Sequence, residues 1–228
     1  LVPELPKEPE DYNTFLSKLR CFDKTYITDE DKIRGNLYKS ESKRTKLKQQ
    51  LKSLSDWIKT LDLTIIIENI KNENTPRAVQ LLNKTNQMNL STRRLNEREF
   101  NKWVQEDKNN LWTIRAADKF GDYGIVGIFS ISIKDNVATL VDFILSCRVV
   151  GRYIEETMIE FLKEFCYENN VNKIKGKYKK TEKNSLCYYF FNKLKLIDSN
   201  QHSFEFSSNQ KKSNLLNIKV KKPTMEKK

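Results

Sequence analysis

Ala138-Thr139-Leu140-Val141-Asp142-Phe143-Ile144-Leu145-Ser146-Cys147-Arg148-Val149-Val150-Gly151-Arg152-Tyr153-Ile154-Glu155 is the stretch on which the reading of this chain turns. An apolar run spaced as a strand ends in a thiol, two arginines flank a glycine, and the pattern over 155–169 is that of a helix. Strand, turn and helix in that order place Cys147 at a strand end and Arg148, Gly151 and Arg152 before a helix N-terminus. Backbone N–H groups at such a corner bind phosphate oxygens, and arginines add bidentate hydrogen bonds. The same positive potential favours a thiolate, the form in which cysteine attacks. By itself the string Cys-Arg-x-x-Gly-Arg also fits an inert, packed cysteine, so the rest of the chain must decide.

Working outward, the residues before this stretch read as strands at 111–117 and 124–133, with 138–147 as the third. Glycines at Gly121 and Gly124 lie where a tight hairpin needs positive φ. Strands in series imply an antiparallel meander. After the corner come a helix at 155–169, a strand at 173–178, a helix at 184–194 and terminal strands near 203–206 and 215–220, an α+β order. Upstream, Leu47, Leu51, Leu54, Trp57, Ile58 and Leu61 have the spacing of one amphipathic helix over 42–61. A strand at 63–69, a helix opening at Thr75-Pro76 and a helix at 96–106 follow. The first forty residues carry short helical patterns, at 11–19 and after Thr28-Asp29-Glu30-Asp31, with no full apolar face. They read as an arm (1–40) joining a main domain (41–220) to a missing neighbour, with 221–228 as a disordered basic tail.

A length of 228 residues allows one main domain with an extension. No apolar run reaches bilayer length and the N-terminus lacks a signal-peptide pattern, so the chain reads as cytoplasmic, with no membrane partner. The absent initiator Met and the Pro-spaced start read as a piece of something longer. Four cysteines, Cys21, Cys147, Cys166 and Cys187, lack C-x-x-C spacing, and His202 is the single histidine, which argues for no metal. Cys166 and Cys187 fall on apolar faces and read as packing. The net charge of +12 favours acidic partners. It is dispersed except at Lys211-Lys212 and the tail, and no nucleic-acid-binding signature appears, so no nucleic-acid partner is expected. Asn83, Lys84, Thr85, Asn86 and Gln87, with Arg93 following, offer many donors and acceptors, suited to bracing a loop or gripping a polar ligand.

The chain resembles the C-terminal half of FkbH-like proteins of the HAD-superfamily IIIC group, whose second half has a GNAT-like acyltransferase fold. The resemblance runs over essentially the whole chain. It rests on Val2-Pro3-Glu4-Leu5-Pro6 with Tyr12, on Asn83-Lys84-Thr85-Asn86-Gln87 with Asn89 and Thr92-Arg93-Arg94, and on Asp118 with Phe120-Gly121-Asp122 and Gly124. Ser146-Cys147-Arg148 with Gly151-Arg152 and Glu155, and Gly176-Lys177-Tyr178 with Thr181 and Lys183-Asn184, complete it.

That resemblance implies a mostly antiparallel central sheet flanked by helices. It also implies transfer of a glyceryl unit from 1,3-bisphosphoglycerate to an acyl carrier protein for polyketide starter synthesis. Cys147 would carry the acyl group as a thioester, with Asp142 or Glu155 assisting. Arg148, Gly151, Arg152 and Asn184 would hold phosphate, the carrier's phosphopantetheine or coenzyme A. Asn83, Lys84, Thr85, Asn86, Gln87, Arg93, Asp122 and Tyr178 are substrate-loop candidates. Magnesium would belong only to the HAD half, which this chain lacks and which would act in cis or in trans.

Read from the residues, Asp142 equally suits an exposed carboxylate, and Glu155 a first-turn acid paired with Arg152. Phe191 stands where acetyltransferases often have a tyrosine, Lys180 replaces a proline, and Tyr153 replaces a glycine after Arg152. Two further readings stay open: a GNAT-like module that docks a carrier without a covalent step, and a conventional acetyl-coenzyme A-dependent N-acetyltransferase.

Overall fold

A computed structural model describes residues 4–20, 29–51, 53–194, 197–198, 203–208 and 218–223, with backbone alone at 29–37 and 197–198. Cys21, Thr28, His202, Lys211, Lys212 and positions 224–228 of the tail lie outside the described residues. The chain divides into two units, Leu1–Glu41 and Ser42–Lys228. In the first, a 3-10 turn at Pro9–Asp11 leads into α1 (Tyr12–Lys18), which has no buried residue, and α2 (Asp29–Gln49) begins there and runs on into the second.

The single helix expected over 42–61 is two helices. α2 ends at Gln49 and α3 (Leu54–Leu61) starts anew, because the Ser53 hydroxyl accepts the Asp56 N–H at 3.1 Å and supplies a new N-cap. The restart aims Trp57, Ile58 and Leu61 inward and leaves Leu54 exposed. Beyond it run β1 (Thr64–Asn69), α4 (Thr75–Lys84), β2 (Met88–Asn89) and α5 (Glu97–Gln105), the last opened by a capping box between Asn96 and Glu99. Then come β3 (Asn109–Asp118), β4 (Gly121–Lys134), β5 (Val137–Leu145) and α6 (Ile154–Glu168). The described chain closes with β6 (Lys173–Lys177), α7 (Ser185–Lys193), β7 (Ile197–Asp198), β8 (Ser203–Ser207) and β9 (Lys219–Lys221). Short strands β2 and β7 have no sequence signal.

The described strands form one sheet in the order β7-β8-β6-β5-β4-β3-β1-β9, with β2 added to β5. β5 with β6 and β1 with β9 are parallel, and every other pair is antiparallel. This is the α+β architecture expected, a mostly antiparallel central sheet with helices on both faces. On one face α4 and α5 bury Ala78, Leu81, Leu82 and Phe100 against Leu111, Ile125, Ile128 and Ile144. On the other, α6 and α7 bring Phe161, Phe165, Cys166, Cys187 and Phe191 onto Trp112, Phe129 and Phe143, with Trp112 and Phe129 stacked at 5.2 Å. Cys166 and Cys187 are packing residues, and burial pushes the Cys187 thiol up to about 12.

Two backbone details set the geometry of β5 where it approaches the thiol. A bulge between Ser130 and Ile131 leaves Val141 without a partner on β4, since Ser130 pairs with Asp142 and Ile131 with Leu140. The extra residue reverses the facing of β5, so Leu140 points to the α6 side whereas Asp142 and Ile144 point to the α4 side. Gly127 lets β4 approach β5: a Cβ there would lie 2.9 Å from the Ile144 carbonyl oxygen and 3.0 Å from Leu145 Cδ1. Gly127→Ala is therefore expected to destabilise by about 2 kcal/mol, read as a lowered midpoint in thermal unfolding. An unchanged midpoint would show that the two strands separate freely.

Candidate acyl-transfer corner

β5 ends at Leu145, and the Ser146 N–H adds one more bond to β4 by donating to the Val126 carbonyl at 2.7 Å. Val149, fully buried, donates its N–H back to the Ser146 carbonyl at 3.1 Å. This closes a turn that lifts Cys147 to its tip. Cys147 is exposed, whereas Cys166 and Cys187 are buried. Arg148 is half-buried and donates from Nε to the Ser146 hydroxyl at 3.3 Å. The strand end, the thiol and the helix after them are thus where the sequence placed them.

The anion clamp is different. Arg152 is 3% exposed: its guanidinium donates to the Tyr123 hydroxyl and lies 5.3 Å from the Trp57 ring centroid and 5.1 Å from that of Tyr123. It fastens the loop to the body and does not face an incoming phosphate. The pairing of Glu155 with Arg152 is likewise replaced: Glu155 Oε1 accepts the Gly151 N–H at 2.7 Å. A carboxylate of the chain itself thereby takes the donor that a phosphate needs. Gly151 has φ +76°, and Tyr153, at the position of the expected glycine, has φ 62° as the N-cap of α6. Its carbonyl, held by the Thr157 N–H and hydroxyl, compensates the left-handed strain.

Glu155 is 3% exposed, and among the described residues its Oε2 has no hydrogen-bond partner. Burial pushes its carboxyl up to about 7, more than the Gly151 and Glu155 N–H groups lower it, with Glu156 raising it further and Lys193 lowering it.

A buried charge cluster underlies the corner. Arg44, which no motif signals, places Nε and Nη2 on the Asp118 carboxylate at 2.7 Å each. The Tyr123 hydroxyl donates to Asp118 Oδ2 at 2.6 Å and the Phe120 N–H to Oδ1 at 2.9 Å. Burial alone would raise the Asp118 carboxyl, but the hydrogen bonds from Arg44, Tyr123 and Phe120 leave it below its usual value. Burial and the Asp118 charge together push the Tyr123 phenol well up, so it stays a neutral donor.

The amide-rich loop braces. Asn83 exchanges both amide atoms with the Leu95 backbone, at 2.7 and 3.2 Å, and Arg94 reaches Asn86 Oδ1 at 2.7 Å and the Thr85 carbonyl at 3.4 Å. Lys84 and Gln87 are exposed. Asp142 is completely buried, correcting its reading as a solvent-facing carboxylate. Its two oxygens accept from Arg93 Nε at 2.8 Å, Arg93 Nη2, Ser91 and Ser130, which leaves no lone pair for base catalysis. Arg93, engaged there, also lies 4.3 Å from the Trp103 ring centroid and so braces the loop.

Asn184 is also a brace and not a phosphate ligand. Its Nδ2 donates to the Asn89 carbonyl at 3.0 Å and the Lys179 carbonyl at 2.8 Å, while its Oδ1 accepts from Thr181 N–H and the Tyr178 hydroxyl. Tyr178 is buried, which raises its phenol. Asp122 is exposed and caps the hairpin by accepting the Gly124 N–H at 2.6 Å.

Segment 88–90 fills the space where β5 and β6 part. Those strands pair from Val137 with Lys173 to Leu140 with Gly176. Beyond, β2 pairs Met88 with Leu145 and Asn89 with Ile144, Leu90 N–H donates to Phe143, and Lys179 N–H to Leu90. The β5 edge is thus already paired, and a pantetheine arm would find no open backbone there. Gly151 N–H and Arg152 are engaged within the chain as well.

No protein-family model matches the chain, and no curated protein matches it. Among solved structures, a domain from Methanocaldococcus jannaschii is similar with a TM-score of 0.50 at 15% identity, over 64% of this chain and 99% of that one. The likeness is one of fold. A GNAT-family acetyltransferase from Staphylococcus aureus Mu50 gives 0.48 at 11% identity over 64% of this chain and all of its own. The ribosomal-protein-S18-alanine N-acetyltransferase from Escherichia coli gives 0.47 at 9% over 67% and 99%. Among the described residues no helix is long and apolar enough to cross a membrane.

Glu155 supplies a test. Its folded value of about 7 lies above the ordinary value of 4.5, so its contribution to stability is complete below pH 4.5 and is lost as pH rises through 7. Glu155→Gln removes this dependence. Between those limits wild type is expected to lose on the order of 3 kcal/mol relative to the variant, measured by denaturant unfolding at a series of pH values. Parallel pH profiles for both proteins would show that Glu155 ionises normally.

Proposed function

We propose that the chain is a GNAT-like acyltransferase domain in which Cys147 receives an acyl group as a thioester and passes it to the pantetheine thiol of a carrier protein. The observation that carries this reading is the exposure of Cys147 at the tip of the turn that ends β5, when Cys166 and Cys187 are buried. With an acyl phosphate such as 1,3-bisphosphoglycerate, the Cys147 thiolate attacks the acyl carbon, the bond to the phosphate oxygen breaks and inorganic phosphate leaves. The carrier thiol then attacks the thioester, and the Cys147 thiolate departs. Arg148, next to the thiol in sequence, supplies a cation of the corner for the leaving phosphate. Arg152 and Asn184 act on this chemistry through the loops they hold. The HAD half belongs to the same reading, as a partner in cis or in trans.

A second reading, docking of a carrier without a covalent step, is favoured by the Glu155 carboxylate on Gly151 N–H, which closes the corner to an external anion. Coenzyme A-dependent N-acetylation is a third reading, and the pairing of β2 with the β5 edge bears on coenzyme A and on a carrier's pantetheine alike.

The test is intact-protein mass after incubation with 1,3-bisphosphoglycerate, with and without a separately supplied HAD domain. A glyceryl or phosphoglyceryl adduct that maps to Cys147, is released by hydroxylamine and falls at least about a hundredfold in Cys147→Ser is expected. Absence of any adduct, with carrier binding retained, would leave the docking reading. Turnover of acetyl-coenzyme A on a small amine by the same variant would establish the third.

A further inference from the structure

α7 shows an outward stripe that the fold does not use. Leu186 is 37% and Tyr189 65% exposed, at i and i+3, while Cys187 and Phe191 point into the core. Lys183 lies just ahead of the α7 cap Asn184, and Lys193 lies one turn beyond Tyr189, its side chain 74% exposed. Lys179 and Lys180, in the loop that leads to α7, are exposed too. The result is an exposed apolar pair on a segment that carries four exposed lysines and one exposed acid, Glu182.

The position of the stripe matters as much as its composition. At its N-terminal end Asn184 bonds the Asn89 carbonyl, and Asn89 pairs with Ile144 on β5, the strand that ends at the thiol turn. At its C-terminal end Lys193 stands 3.7 Å from Glu156 in the first turn of α6, the helix entered from the Cys147 loop. The helix therefore spans between the two elements that frame the corner.

We infer that this face of α7, with Lys179 and Lys180, is the docking surface for an acidic helical protein that exchanges its acyl group at Cys147. The inference rests on the acyl-transfer reading proposed above. Charge complementarity selects the partner: lysines on the rim steer an acidic surface, and an exposed Leu and Tyr at the centre supply the desolvated contact that fixes it. A carrier whose prosthetic thiol must reach Cys147 has this chemistry.

The test uses the full chain and a fluorescently labelled holo-acyl carrier protein of net negative charge, followed by anisotropy. Wild type is expected to bind, more weakly as NaCl rises from about 50 to about 300 mM. Leu186→Ala with Tyr189→Ala, and separately Lys179→Glu, Lys180→Glu and Lys183→Glu together, are each expected to weaken binding at least about tenfold. All five side chains are exposed, and circular dichroism of each variant checks the fold. Cys147→Ser should bind as wild type does, so loss of acyl loading and loss of docking are separable. Equal binding by both α7 variants and wild type, or no binding at all, would overturn the inference. A single-stranded RNA oligonucleotide bound in place of the carrier, and lost on the same substitutions, would overturn it in favour of a nucleic-acid surface.

Discussion

The carboxylate of Asp118 is the point on which the main unit closes. It sits at the end of β3, before the hairpin to β4, and is reached by Arg44 from α2, by the Tyr123 hydroxyl from β4 and by the Phe120 N–H from the turn itself. A buried carboxylate with so many donors is fixed in one geometry, because each group removed would leave another charge or dipole unsatisfied. Such a cluster adds less to net stability than to uniqueness of arrangement. Through Tyr123 it reaches Arg152, and through Arg152 the loop that carries Gly151. The cation that the sequence offers to a ligand is thus used to hold the corner to the sheet.

The corner depends on that constraint. With Arg152 drawn inward, the first turn of α6 has an internal anion, Glu155, at the Gly151 N–H. A helix N-terminus with positive potential favours an anion, and a carboxylate in the first helical turn is always at hand. The N–H donor of the turn and the carboxylate that occupies it are therefore encoded within one helical turn of sequence. Val149, fully buried, donates its N–H to the Ser146 carbonyl and anchors the Cys147 turn.

Much of the fold is legible in the sequence because its signals are local. The meander at 109–145, the helices after Thr75-Pro76 and Asn96, and the strand-to-helix passage at 145–155 follow from alternation, from caps and from glycines at Gly121 and Gly124, both at positive φ. The end of α2 at Gln49 is hidden because apolar spacing continues past it, although Ser53 three residues before Asp56 offers a cap. β2 could not be read: Met88 and Asn89 become a strand only because β5 has an edge to fill where β6 departs.

For the candidate site, sequence determined that a thiol ends a strand and that arginines and a glycine precede a helix, since those depend on neighbours along the chain. It also determined that Cys166 and Cys187 pack. Tertiary structure alone decided which way each charge points. Arg152 turns to Tyr123, Asp142 turns to Arg93 after a one-residue bulge, and Asn184 spans from the α7 cap to Asn89. A polar side chain goes where its buried partners are, and those partners lie up to 95 positions away in sequence. Only folding brings them within hydrogen-bond reach.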